Sequence, residues 1–199
     1  MLKDLVQESR SIRSFQPSAS IPEEELRALI DTARNCPAAM NLQVLKYRLV
    51  TTPEECREML LLTRWATSLS QKLPPQGHEP TAYIVICHDT AIAPEKEIFL
   101  IDVGIAAQTI MLAAKETGFG GCIIGSAAEK EVNDTLRLPE NIIPKLILAL
   151  GIPDEAPILT EAENGKTRYY RDTENQHYVP KRPLEEILIK TYFSVEKEK

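Results

Sequence analysis

Arg10, Ser11 and Arg13, within the stretch ESRSIRSF at residues 8–15, place two guanidiniums three positions apart near the start of the chain. Two such charges repel each other unless they turn separately to water or share an anion, and the spacing leaves both readings open. A guanidinium is always charged and offers a planar fork of N–H donors that matches phosphate or carboxylate oxygens, to which the Ser11 hydroxyl adds a neutral donor. Two other groups carry similar chemistry: Asn41, Gln43 and Lys46 after the second helical stretch, and Lys181 with Arg182 near the end. Charge-assisted hydrogen bonds stabilise by about 1.5–3 kcal/mol each, so three or four meeting on one phosphate would anchor a ligand. Basic side chains more often form a solvated face, however, and composition and spacing by themselves end at an anion site whose ligand is open.

Other chemistries lack their residues. The glycine-rich stretch GFGGCIIGS, residues 118–126, has Ile123 where a dinucleotide fingerprint needs its third glycine, and it follows a helical stretch rather than a strand. Read as a P-loop from Gly120, it reaches Gly125 but then offers Ser126 and Ala127 in place of Lys and Ser or Thr. Neither G-x-S-x-G nor H-E-x-x-H occurs. Glutamates are abundant, but nothing singles out a pair for glycosidic chemistry. Cys36, Cys56, Cys87 and Cys122 stand far apart, and neither they nor the three histidines have metal-ligand spacing. We therefore assign no catalytic side chain and no metal site, and read the cysteines as free thiols in a reducing compartment.

The chain has 199 residues and a formal charge of −6. That length suits one domain spanning 1–199, and the acidity argues against nonspecific binding to nucleic acid or an acidic membrane. The opening MLKDLVQESR lacks the basic and apolar segments of a secretory signal, so the expectation is a cytoplasmic protein. The most membrane-like stretch, IFLIDVGIAAQTIMLAAKETG, has an uncharged run of only twelve residues, Val103 to Ala114, against about 20 for a spanning helix. It reads as a buried helix.

The elements that must carry these residues follow from periodicity and punctuation. Leu2, Leu5 and Val6 begin an amphipathic helix, and SIPEEELRALIDTARNCP gives a second with Ser20 and Glu23 as a capping box and Pro37 as its stop. YRLVTT reads as a strand, PEECREMLLLTRWA as a third helix opening at Pro53, and AYIVICHD as a strand buried on both faces. Residues 96–117 form the long helix, closed at Gly118, and its Gly104, Ala106, Ala107, Ala113 and Ala114 would let another helix approach closely. CIIG and KLILALG are further strands around the helical AEKEVNDTLRL, and YVPKRPLEEILIK is an extended piece followed by a short helix opening at Pro183. Without regular βαβ alternation, the pattern favours an α+β fold over a doubly wound sheet.

Four stretches, in order and over nearly the whole chain, resemble the flavin-dependent nitroreductase family: RSIRSF, CPAAMNLQVLKY, GIAAQTIMLAAKETGFGGCIIGS and HYVPKRPLEEIL. The resemblance implies an α+β fold with a central, mostly antiparallel sheet flanked by helices, an intertwined homodimer, and one FMN in each of two pockets at the subunit interface. It also implies reduction by NADH or NADPH and ping-pong delivery of electrons to a nitroaromatic, quinone or similar small acceptor. On that basis Arg10, Ser11 and Arg13 hold the FMN phosphate and ribityl chain, and Lys181 and Arg182 complete the phosphate site. Pro37, Ala38, Ala39, Asn41 and Gln43 line the flavin, often from the opposite subunit, while Ile123, Ile124 and Gly125 bring backbone N–H groups towards N5 and O4 of the ring.

Three departures stand out: Ser9 where many members have Arg, Ala38 for a common Ser, and Val44-Leu45 for a frequent Pro-Trp. The segment WATSLSQKLPPQGHEP reads as a variable lid without a matching contact to flavin N1 and O2, Trp65 as a core anchor, and Lys46 as a surface residue on a strand. Alternatives to the oxidoreductase are a flavin-binding or sensing protein without turnover, a family member with another reaction such as reductive dehalogenation, and a non-flavin structural dimer.

Overall fold

The run AYIVICHD needs cover on both sides, and the tertiary structure supplies it. It forms β2 (Ala82–Asp89), every residue of which is buried. Tyr83, Val85 and Cys87 enter one apolar cluster while Ala82, Ile84 and Ile86 enter another, as a strand with period 2 must when both faces of its sheet are covered. The computed structural model describes residues 1–17 and 19–189. These divide into two units, Met1–Ala156 and the described part of Pro157–Lys199.

In the first unit, β1 (Leu45–Val50), β2, β3 (Gly120–Ile124) and β4 (Ile142–Gly151) form an antiparallel sheet of order β1-β2-β4-β3. One face is covered by α3 (Pro53–Leu62) and α5 (Glu129–Leu136) through Cys56, Met59, Val132 and Leu136. The other packs against α2 (Glu23–Ala33) and α4 (Ile98–Glu116) through Leu26, Leu29, Val103, Ala107 and Ile110. A short α1 (Leu2–Glu8) precedes them, tied to α4 by a Glu8–Lys115 ion pair of 3.2 Å. The α+β architecture and the antiparallel sheet are as expected from the sequence.

Two helix ends differ. α2 starts at Glu23 with Pro22 as its N-cap and no side-chain cap, so Ser20 stands two residues too far out for the expected capping box; the three glutamates of the first turn meet the helix dipole instead. α3 stops at Leu62 rather than running to Ala66. Thr63 leaves the helix in an extended conformation, its hydroxyl donates to the Leu60 carbonyl at 3.0 Å, and it accepts from Trp65 Nε1 at 2.8 Å. That turn buries Trp65 in the core, as its anchor reading requires.

Among the described residues, α4 is the one helix long and apolar enough to cross a membrane by length and composition. Its Phe99, Val103, Ala106, Ala107, Ile110, Met111 and Ala114 are instead packed in the core. Gly118, at φ +87°, closes it. Among the described residues a second face of α4 stays open: Ile98, Leu100, Ile101 and Ile105 are exposed, and none of them lies within 4 Å of where a Cβ on Gly104 would be.

The glycine-rich stretch has a packing role. After α1 the chain runs as an arm along the edge of β3: Ile12 N donates to the Gly121 carbonyl at 2.8 Å, and Gln16 N to Ile152 O at 2.9 Å. A Cβ on Gly120 would fall 2.9 Å from Ile12 Cγ1, and one on Gly151 2.6 Å from Phe15 Cδ1, so both positions must stay bare for the arm to lie flat. At Gly121 a Cβ would meet the Ala149 carbonyl oxygen at 2.1 Å, inside the sheet itself.

The second unit, taken by itself, is a small sheet of order β5-β7-β6, with β5 (Ile158–Glu161) parallel to β7 (His177–Lys181) and β6 (Tyr170–Arg171) antiparallel to it. Tyr170 and Tyr178 stack across it with centroids 5.1 Å apart. After β7 comes the expected short helix α6 (Leu184–Ile187), entered through Pro183. The remainder of YVPKRPLEEILIK beyond residue 189 lies outside the described residues.

Gly121→Ala should destabilise the protein by about 1–3 kcal/mol or more, because the added methyl meets backbone rather than a movable side chain. Urea denaturation checks it: the midpoint should fall with an unchanged slope.

Candidate functional site

The arm that carries the sequence-predicted cations is held from both sides. Ile12 is buried against the bare glycines and Phe15 is fully buried in the core, so the residues between and before them take defined places. Ser11 bridges to Gly121 in parallel register and is exposed. Arg13 is 9 % exposed; its Nη1 donates to the Ser11 carbonyl at 3.5 Å, and its main-chain N–H donates to Glu155 Oε1. Arg10 is half-buried and donates from Nη2 to the Val6 carbonyl in the last turn of α1.

The electrostatics fit an anion. Arg10 Nε is buried and has no hydrogen-bond partner among the described residues, an unmet donor of the kind that folded proteins keep for a ligand or a water. Burial lowers the pKa of the Arg10 guanidinium from its ordinary value, a cost that a bound anion would offset. Cys122, behind the arm on β3, has its thiol pushed up by burial, opposed by the Arg13 charge and a Ser11 hydrogen bond and reinforced by Glu155. A buried guanidinium, an exposed hydroxyl and an unmet N–H on one short arm match the oxygens of a phosphate.

β3 continues from the arm. Ile123 is 40 % exposed, Ile124 is buried and Gly125 is exposed at the strand's end. Ile124 lies three residues past Gly121, about 10 Å along the strand. The structure therefore brings Arg10, Ser11 and Arg13 to the same sheet edge as Ile123, Ile124 and Gly125. Past Gly125, Ser126 Oγ accepts from Arg64 N at 3.1 Å and donates to Arg64 O at 3.2 Å, joining the segment after α3 to this strand end. Arg64 is exposed beside the site, although no motif in the sequence marks it.

Pro37, Ala38, Ala39, Asn41 and Gln43 lie elsewhere. They precede β1, at the opposite edge of the sheet from β3, with β2 and β4 between, about 14 Å at the usual strand spacing. Around the 3-10 turn Ala39–Asn41, three non-glycine residues have left-handed backbones: Met40 at φ 52°, Asn41 at 53° and Gln43 at 52°. Asn tolerates this conformation, but Met40 and Gln43 each cost about 1–2 kcal/mol. Met40, Asn41, Leu42 and Gln43 are exposed, Met40 at 70 %, while Val44 is fully buried and pins the loop to the sheet.

Polar contacts from α4 hold the loop's other end. Both Asp102 carboxylate oxygens accept from Ala39 N, at 2.9 and 3.1 Å, and Cys36 Sγ lies 3.1 Å from Thr109 Oγ1. Pro37, Ala38, Gln43, Lys46, Tyr47 and Asp102 line a cavity of about 240 Å³. Lys46 is exposed at 3.9 Å from Asp89, as expected of a surface lysine. A larger depression of about 900 Å³ between α2 and β1, lined by Glu23, Arg27, Asp31 and Arg48 among others, takes in Lys46 but none of the residues that the resemblance assigns to the flavin. In the second unit, Lys181 ends β7, exposed, and Arg182 pairs with Glu186 at 2.9 Å.

Residues 6–152 match the model of the nitroreductase family, and the chain belongs to that family. It is 29 % identical over 164 residues to a putative NADH dehydrogenase/NAD(P)H nitroreductase of Methanothermobacter thermautotrophicus, a match that covers 77 % of this chain and 78 % of that one. It is also 29 % identical over 164 residues to an FMN reductase (NADPH) of Bacillus subtilis, covering 72 % of this chain and 62 % of the relative. In fold it is similar to the crystal structure of a nitroreductase family protein from Streptococcus pneumoniae, with a TM-score of 0.70 and 19 % identity over 96 % of this chain and all of that one.

The thiols near and far from these sites should separate chemically. Burial pushes Cys56 up to about 11 and Cys87 up to about 12, and raises Cys122 as well, whereas Cys36 is half-buried at the exposed loop. Because the thiolate is the nucleophile, Ellman's reagent at pH 8 should label one thiol rapidly in the folded protein and the rest only on unfolding. Cys36→Ser should abolish the rapid phase.

Proposed function

We propose that this chain is an FMN-dependent NAD(P)H oxidoreductase that reduces nitroaromatics, quinones or similar small acceptors, with residues 1–199 acting as one FMN-binding domain in the cytoplasm. The observation that carries the reading is the arm beside β3: a nearly buried Arg13, an exposed Ser11 and an unmet, buried Arg10 Nε in a nitroreductase-family chain. Relatives described as an FMN reductase (NADPH) and as NAD(P)H nitroreductases support the choice of cofactor and donor.

Arg10, Ser11 and Arg13 would grip the phosphate, with Lys181 and Arg182 as further contacts. The backbone at Ile123, Ile124 and Gly125 would orient the ring, because β3 is an edge strand whose outer side has no strand partner beyond the Ser11 bridge among the described residues. FMN, when bound, supplies the hydride and electron chemistry, and the protein's part is position and electrostatics. Arg64 at the Gly125 end is the cation best placed to add positive charge there. Two substrates using one exposed face in turn give ping-pong kinetics.

The shared pocket of a homodimer accounts for two further features. Pro37, Ala38, Ala39, Asn41 and Gln43 sit at the sheet edge away from the arm, so a second copy is needed to bring a loop of this kind to the β3 side. The open face of α4, with Ile98, Leu100, Ile101, Ile105 and the bare Gly104, is the apolar surface such a copy would cover.

Purified protein should be yellow with releasable FMN, and anaerobic NADH or NADPH should bleach it; a passive flavin binder would stay oxidised. Arg13→Ala should weaken FMN binding about ten- to a hundredfold, measured by fluorescence titration of apoprotein. Sedimentation should report about twice the 22.3 kDa chain mass, and a monomer that still binds FMN would contradict the shared pocket.

A further inference from the structure

The loop Pro37–Gln43 begins its 3-10 turn at Ala39, whose N–H is the first of the turn and has no acceptor inside it. Its acceptor comes from 63 positions away, where both carboxylate oxygens of Asp102 on α4 accept from Ala39 N. Asp102 is 5 % exposed, and among the described residues it has no cationic partner and no other hydrogen bond. An aspartate buried on a largely apolar helix, one turn before Ala106, is costly to bury for fold stability alone. What it secures is a loop with three left-handed non-glycine residues, Met40, Asn41 and Gln43, whose backbone would relax without a fixed start. Thr109, two turns further along α4, holds Cys36 at the loop's entry, so one stripe of α4 carries both polar anchors.

We infer that Asp102 is the positioning residue for the flavin-lining loop: its carboxylate caps Ala39 N and holds Asn41 and Gln43 in their binding conformation. This rests on the FMN reading of the previous section.

The test compares full-length wild type with Asp102→Asn, which keeps an acceptor oxygen, and Asp102→Leu, which keeps the volume and loses it. Amide hydrogen exchange on the apoprotein reads the loop directly. Residues 37–43 should exchange about tenfold faster or more in Asp102→Leu, with the strands unchanged, and close to wild type in Asp102→Asn. FMN affinity and the acceptor KM should move with the loop, each by about tenfold in Asp102→Leu and with rescue in Asp102→Asn. Faster loop exchange with FMN affinity and KM within twofold of wild type would overturn the inference, and so would unchanged exchange. Should Asp102→Leu not fold, Ala39→Pro replaces the donated hydrogen with a ring carbon, following an Ala38 already at φ −130° and ψ 149°, the extended region that precedes prolines; it must reproduce the same pattern. If wild type itself takes up no FMN, the functional reading fails, and the exchange data still decide whether Asp102 holds the loop.

Discussion

The packing of Ile12 and Phe15 against glycines is the contact on which the site depends. An arm of extended chain has few ways to stay in place, since its own backbone forms no helix and only isolated bridges to the sheet. Here two apolar side chains anchor it in the core, and Gly120 and Gly151 give it room to lie against β3 and the end of β4. Burying two such side chains contributes on the order of 3–6 kcal/mol, enough to hold a short arm that carries like charges. Arg10, Ser11 and Arg13 inherit their positions from that contact. An enlarged residue at either glycine would therefore disturb the cations without touching them.

The sheet divides the remaining candidate residues. β2 and β4 are covered on both faces and serve as a rigid middle, which leaves the two edges for chemistry. One edge carries the arm and the end of β3, the other the left-handed loop that enters β1. α4 connects them to the rest of the molecule in different ways: one side packs in the core, one stripe anchors the loop through Asp102 and Thr109, and one face remains apolar and open. A single helix thus serves packing, loop geometry and the surface through which we propose a second copy binds.

Much of the fold was legible because apolar periodicity is a local property. AYIVICHD had to be a doubly covered strand, and 96–117 had to be a buried helix, whatever surrounded them. Helix ends were less legible. Pro22 took the cap position and stranded Ser20, and Thr63 ended α3 early by bonding back to Leu60 while steering Trp65 inward. The glycine-rich stretch misdirects attention in the same way: it has the composition of a nucleotide loop, but its Gly120 and Gly121 answer to Ile12, Pro153 and the Ala149 carbonyl.

By residue type and order alone, the chain declared its family resemblance, its α+β pattern and an arm of cationic and hydroxyl side chains suited to an anion. Those properties depend on identity and short spacing, and a linear string carries them in full. Only the tertiary structure decided that Arg13 is nearly buried while Ser11 is exposed, that Arg10 Nε is left without a partner, and that Asp102 caps a loop 63 positions earlier. Burial and hydrogen-bond satisfaction are set by which distant segments meet. No window of sequence contains both partners, so these facts exist only once the sheet and α4 have brought them together.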